Sequence, residues 1–111
     1  MVRYEYSAKC TGVYDGDTIT VDVDLGFGIF LKHQKMRLLG VDTPELRGPD
    51  RADGLRARDF VREQILEKEV LIRTVKDGKG KYGRWLVEVW VGGISLNTRL
   101  IQEGLATPYP H

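Results

Sequence analysis

At 111 residues the chain is long enough for one modest core, and its 41% hydrophobic and 30% charged residues are an ordinary globular mixture. Its 17 Lys and Arg stand against 16 Asp and Glu, a net charge of +1, which excludes a strongly basic, non-specific nucleic-acid binder. Any affinity for phosphate must then sit in a local patch or be lent by a bound cation. The lone Cys10 excludes an intrachain disulfide, and no apolar run approaches membrane length.

The first half of the chain reads as β. Residues 1–6 alternate like a strand and lack the basic start and apolar run of a signal peptide, so a cytoplasmic location is the default expectation. Cys10 falls in strand sequence, where a small buried hydrophobe is the expected role. Ile19, Val21, Val23 and Leu25 alternate with Thr20, Asp22 and Asp24, the period-two pattern of a half-buried strand. Gly26-Phe27-Gly28 supplies a turn, residues 29–41 give further strand, and Asp42-Thr43-Pro44 breaks it.

Residues 47–54 read as a polar loop. A helix is expected over about 55–66, with Ala57, Val61 and Ile65 on one face and Phe60 alongside. Residues 70–75 form a strand, and 76–80, with Gly78 and Gly80, a mobile loop. Trp85, Val87, Val89 and Val91 alternate again before a tight turn at Gly92-Gly93. A last helix is expected over about 97–103, capped by Asn97 or Ser95 and stopped at Gly104, with Leu96, Leu100 and Ile101 as its apolar face. The tail to His111 is broken by Pro108 and Pro110. Short strands interleaved with helices fit an α+β, mainly β fold, a five-stranded oligonucleotide/oligosaccharide-binding barrel with two to three helices forming a single domain over 1–111. A small open α+β sheet is the alternative.

Three segments carry candidate chemistry. In Asp15-Gly16-Asp17-Thr18 both acids share strand parity with the inward-facing Ile19 and Val21, which is costly for a carboxylate unless it is paired or bound to metal. Asp-Gly before a strand is also ordinary turn chemistry. In Arg37-Leu38-Leu39-Gly40-Val41-Asp42-Thr43-Pro44-Glu45 a guanidinium interrupts an aliphatic run and needs a defined partner, either a ligand or an internal ion pair such as Asp42. Lys81-Tyr82-Gly83-Arg84 follows a glycine-bearing loop and opens a strand.

Taken together, Asp17, Asp42 and the Thr43 carbonyl offer hard oxygen ligands suited to calcium or magnesium. Glu45 is a carboxylate able to position or deprotonate a water, and Arg37 and Arg84 can grip phosphoryl oxygens bidentately.

These pieces, with residues 97–106 and in this order, closely resemble the thermonuclease (staphylococcal nuclease-like) domain over nearly the whole chain. The resemblance implies a five-stranded barrel with helices and calcium-dependent hydrolysis of DNA or RNA to 3′-phosphate and 5′-hydroxyl ends, with magnesium a poorer substitute. By position it implies Asp17, Asp42 and Thr43 as metal ligands, and Asp15 as an acid shaping the metal site without ligating. Arg37, Glu45 and Arg84 become the catalytic residues, and Lys81 and Tyr82 contacts to the nucleotide.

Tyr109, in a tail that departs from the family's pattern, is a further candidate for stacking on a base. The chain stops at His111, without the additional C-terminal helix of longer members. A monomer acting on DNA or RNA, away from membranes, is the resulting expectation. An inactive nucleic-acid-binding or protein-interaction module on the same barrel is the alternative. Such copies are expected to lose Glu45, an arginine or an acid, and this chain retains them.

Overall fold

The computed structural model describes residues 4–76 and 85–110. Strands β1 (Tyr4–Asp15), β2 (Thr18–Asp24) and β3 (Phe30–Leu38) form an antiparallel meander, and β5 (Glu69–Lys76) and β6 (Trp85–Val91) extend it beyond β1. The five lie in the order β3-β2-β1-β5-β6. Parallel pairing of Met36, Arg37 and Leu38 with Trp85, Leu86 and Val87 closes the sheet into a barrel. The barrel expected from the sequence is therefore present, and the open sheet is not.

Closure of so small a barrel demands strong bending, which irregular pairing supplies. The β1–β2 register shifts between Cys10 and Gly12 and again between Val13 and Asp15. The β2–β3 register shifts between Val21 and Val23, opposite His33, which takes φ 57° and donates its amide to Asp22 Oδ1. Inside lie Cys10, Ile19, Val21, Leu38, Ile72, Val87 and Val89, each fully buried, as the alternation predicts.

Helix α1 (Arg51–Ile65) packs Ala57, Val61 and Ile65 against the core, with Phe60 partly covered beside them. It begins before the start expected from periodicity, after a single 3-10 turn at Gly48–Asp50. The segment 51–54 has no apolar stripe and falls in the stretch expected as a polar loop. Gly54 is instead a buried helical residue: a Cβ there would meet the backbone carbonyls of Pro44 (2.8 Å) and Glu45. Its bareness lets the segment after Asp42 lie directly on the helix.

The stretch expected as one strand over 29–41 divides. β3 ends at Leu38, Gly40 turns the chain at φ 77°, and a two-residue strand β4 (Val41–Asp42) follows. The tail, expected to be irregular, pairs with it: β8 (Thr107–Pro108) lies antiparallel to β4, and the Tyr109 amide donates to the Gly40 carbonyl. β7 (Ile94–Ser95) closes the hairpin at Gly92-Gly93, and helix α2 (Leu96–Gln102) follows.

Ser95, not Asn97, caps α2 by accepting from the Thr98 amide. At the other end Gly104 and Leu105 donate to the carbonyls of Ile101 and Leu100, a Schellman stop with Gly104 at φ 71°. Leu96 and Leu100 are buried, but Ile101 is exposed and is not part of the packed face. Trp85 is likewise exposed, at the rim where β6 begins. No helix among the described residues is long and apolar enough to cross a membrane.

Candidate active site

The site is assembled where β2 begins, β3 ends and β4 follows. Gly16 turns the chain from β1 into β2 so tightly that a Cβ on it would sit 2.7 Å from Thr43 Cγ2 and 2.8 Å from Ala57 Cβ. That close fit presses the Asp15–Asp17 turn against both the segment after β4 and helix α1. Arg62 of α1 holds the same turn from below, donating through Nε and Nη2 to the Val13 carbonyl.

Asp17 is the buried centre of the arrangement, 5% exposed. Its Oδ2 accepts the Thr43 amide at 3.1 Å and pairs with Arg37 Nη1 at 2.9 Å. Its backbone carbonyl accepts from the Leu38 amide. Arg37, its side chain 13% exposed, also donates through Nη2 to the Val41 carbonyl at 3.1 Å and lies 3.5 Å from Asp42 Oδ1. One guanidinium thus bridges a buried and an exposed carboxylate. The internal ion pair considered for Arg37 exists, but its short arm goes to Asp17 rather than to Asp42. The Tyr109 ring centroid lies 5.3 Å from the guanidinium carbon, a cation–aromatic contact.

Asp15 stands next to this centre, with Oδ1 accepting the Asp17 amide. Burial pushes its carboxyl up to about 6, helped by the neighbouring Asp17 carboxylate. Burial acts on Asp17 in the same direction. The hydrogen bond from Asp15, the Thr43 amide and the Arg37 guanidinium outweigh it and leave Asp17 below the usual carboxylate range. Asp15 and Asp17, with the exposed Asp42 and the Thr43 carbonyl nearby, offer only oxygen donors. All-oxygen donors of this kind fit a hard cation such as calcium. Among the described residues no three such groups converge as a ready-made metal cluster.

Glu45 is exposed on the segment that follows β4, and its carboxylate makes no ion pair among the described residues. The segment is pinned by Arg51, which donates to the Leu46 carbonyl, and by the bare surface of Gly54. A cavity of about 230 Å³ opens beside it, between Asp42, Thr43 and Pro44 on one side and Leu105, Ala106 and Thr107 on the other. Lys81, Tyr82 and Arg84 lie outside the described residues. The structure therefore brings together Asp15, Asp17, Arg37, Asp42, Thr43 and Tyr109, with Glu45 on the adjoining segment.

The pattern of the family described as "Staphylococcal nuclease homologue" matches residues 35–111. The chain belongs to this family. The staphylococcal nuclease match covers the end of β3 with Arg37, the β4 acid, Glu45 and both helices. The chain is also similar to the thermonuclease of Staphylococcus hyicus, at 39% identity over 92% of this chain and 59% of that protein. It is similar to that of Staphylococcus intermedius, at 37% over 85% of this chain and 54% of that protein. An uncharacterized endonuclease of Haemophilus influenzae is 26% identical over 96% of this chain and 54% of its own length. The chain spans just over half the length of these curated relatives.

Two residues of this chain that position the site were not singled out for that role from sequence. Asn97, considered as a helix cap, is a buried bridge: its Oδ1 accepts the Val89 amide, and its Nδ2 donates to the carbonyls of Leu39 and Val87. It fastens α2 to the turn that separates Arg37 from Asp42. Gly54 is the second, and only its oddity inside an otherwise helical stretch could have marked it.

Proposed function

We propose that the chain is a nuclease that hydrolyses phosphodiester bonds of DNA or RNA with calcium. The observation that carries this reading is the Arg37 guanidinium, held between buried Asp17 and exposed Asp42 at the end of a barrel strand. A planar fork fixed in this way is preorganised to meet phosphoryl oxygens as their charge grows in the transition state. The printed names of the relatives, thermonuclease and endonuclease, support the same chemistry.

The residues divide the work. Asp17, Asp42 and the Thr43 carbonyl would hold calcium, with Asp15 shaping the pocket behind Asp17. Bound there, calcium would supply positive charge to offset that of the phosphate and would favour a water as nucleophile. Glu45, exposed and unpaired by any cation among the described residues, takes the proton of the attacking water. Arg37 and Arg84 bind the phosphoryl oxygens, while Lys81, Tyr82 and Tyr109 hold the nucleotide. The leaving group is the 5′-oxygen, so the products carry 3′-phosphate and 5′-hydroxyl ends. The chain acts as a monomer.

The deciding assay is cleavage of single-stranded and duplex DNA with calcium, magnesium or EDTA, followed by mapping of the product ends. Calcium-dependent cutting with 3′-phosphate ends is expected. Retained binding without cutting would place the chain among the non-catalytic modules instead.

A further inference from the structure

Strand β3 carries cations outside the barrel at alternate positions. Met36 is buried in the core, so Lys35 and Arg37 share the opposite face. Two residues of strand separate them by about 6.6 Å, the scale of one nucleotide of an extended chain. Arg37 sits against the Tyr109 ring, and Lys35 repeats the arrangement one step away, its Nζ 5.9 Å from the Tyr14 ring centroid.

Tyr14 is placed for this by the β1 irregularity between Val13 and Asp15, immediately before the turn that carries Asp17. It is 67% exposed, more surface than a packing residue leaves in water, and it is not part of the core. Lys35 has no carboxylate partner among the described residues. The next cation outward, Lys32, is paired with Asp22 at 3.4 Å. Of the three Lys and Arg side chains on this strand, Lys35 is therefore the one without a carboxylate partner among the described residues.

An exposed aromatic face next to an uncompensated ammonium is what a single-stranded nucleotide needs: a platform for its base and a charge for its phosphate. We propose that Tyr14 and Lys35 form a subsite for the next nucleotide outward, beyond the two joined by the scissile phosphate, with its base stacked on Tyr14 and the phosphate adjacent to the scissile one on Lys35. The inference rests on the reading of Arg37 as the phosphate clamp. It gives the site a preference for single strands, because bases inside a duplex are already stacked on one another and have no open face to offer Tyr14.

The test compares a thymidine dinucleotide with a longer single-stranded oligothymidylate, in calcium, for the wild type, Tyr14→Ala, Tyr14→Phe and Lys35→Ala. Tyr14→Ala should raise KM for the longer substrate about tenfold, the scale of one lost base stack, with kcat unchanged. It should leave both constants for the dinucleotide alone. Tyr14→Phe keeps the ring and should behave as wild type. Lys35→Ala should raise KM for the longer substrate about threefold and lower the salt slope of binding by about one.

An unchanged KM in Tyr14→Ala, or an equal loss on both substrates, would overturn the subsite. If the wild type cuts neither substrate, the hydrolytic reading fails on its own account. The subsite is then judged by fluorescence anisotropy with labelled oligothymidylate. About tenfold weaker binding by Tyr14→Ala supports it, and equal binding refutes it.

Discussion

Arg37 and Asp15 sit on either side of the buried Asp17, and each makes a separate prediction. Arg37 uses both terminal nitrogens, one on Asp17 and one on the Val41 carbonyl and Asp42, so its plane is fixed before any phosphate arrives. Lysine would keep the charge and the pairing with Asp17 but lose the fork. Arg37→Lys should lower kcat by about a hundredfold, the usual cost of one preorganised transition-state contact, with little change in melting temperature. A silent substitution would remove Arg37 from the chemistry.

Asp15 is held up at about 6 by burial beside Asp17. A carboxyl raised above its unfolded value weakens the fold once both states are ionised, and the penalty fades as pH falls from that value toward the ordinary one. Asp17 works in the opposite sense: its depressed carboxyl contributes stability above the ordinary carboxylate range, lost on further acidification. In EDTA the contribution of the pair should therefore be most favourable near pH 4–6, between the two titrations. Asp15→Asn keeps the acceptor for the Asp17 amide and resembles the protonated acid. It should stabilise the calcium-free protein at neutral pH by about 1 kcal/mol, discounted because Asp15 is half-exposed, and remove the gain seen on mild acidification. Thermal melts across pH read both effects.

At the scale of elements, the positioning of Glu45 depends on a glycine that helix propensity disfavours. Replacing a mid-helix glycine by alanine ordinarily stabilises by about 1 kcal/mol. At Gly54 the new methyl would run into the carbonyls of Pro44 and Glu45, so Gly54→Ala should instead lower the melting temperature and reduce kcat, by displacing the segment that carries Glu45. A stabilised, fully active variant would show that the contact does not position the segment.

The same helix shows how much of the molecule was legible in its sequence. Alternation at Ile19, Val21 and Val23 marks β2 because one face of that strand meets the core. The four-residue spacing of Ala57, Val61 and Ile65 marks α1 for the same reason. The first turn of α1 escaped because its outward side chains bury nothing and so leave no period. β4 and β8 escaped because two-residue strands contain no repeat, and Pro108 argues against pairing although it lies at a sheet edge. Asp17 and Arg37 could be singled out by the cost of burying their charges, and both are largely buried, whereas the exposed Asp42 was marked only by its place at the end of a strand. Which partner Arg37 takes, and the linking of Asn97 to Leu39, depend on pairings between distant segments that no local pattern encodes.

Over the whole molecule the charge is nearly balanced, so if the proposed function holds the attraction for a polyanion has to be created at the site. Under the proposed function calcium supplies it, and calcium binding should then be visible in stability independently of catalysis. A cation that binds only the folded state stabilises it by mass action, about 2.7 kcal/mol when its concentration is a hundred times Kd. The obvious ligand variant is a poor probe. Removing the charge of Asp17 leaves a largely buried Arg37 without its close counter-ion, so the fold weakens whether or not calcium is lost.

Asp42 separates the two effects. Its side chain is 53% exposed, and its contact with Arg37 is long, at 3.5 Å. Asp42→Asn should melt within about 0.5 kcal/mol of the wild type in EDTA, as surface substitutions usually do. In calcium it should lose most of the rise in melting temperature that the wild type shows, and lose turnover with it. An Asp42→Asn protein that still gains the full calcium-dependent rise would remove Asp42 from the metal site. The cation would then rest on Asp17 with Asp15, behind Arg37 rather than in front of it.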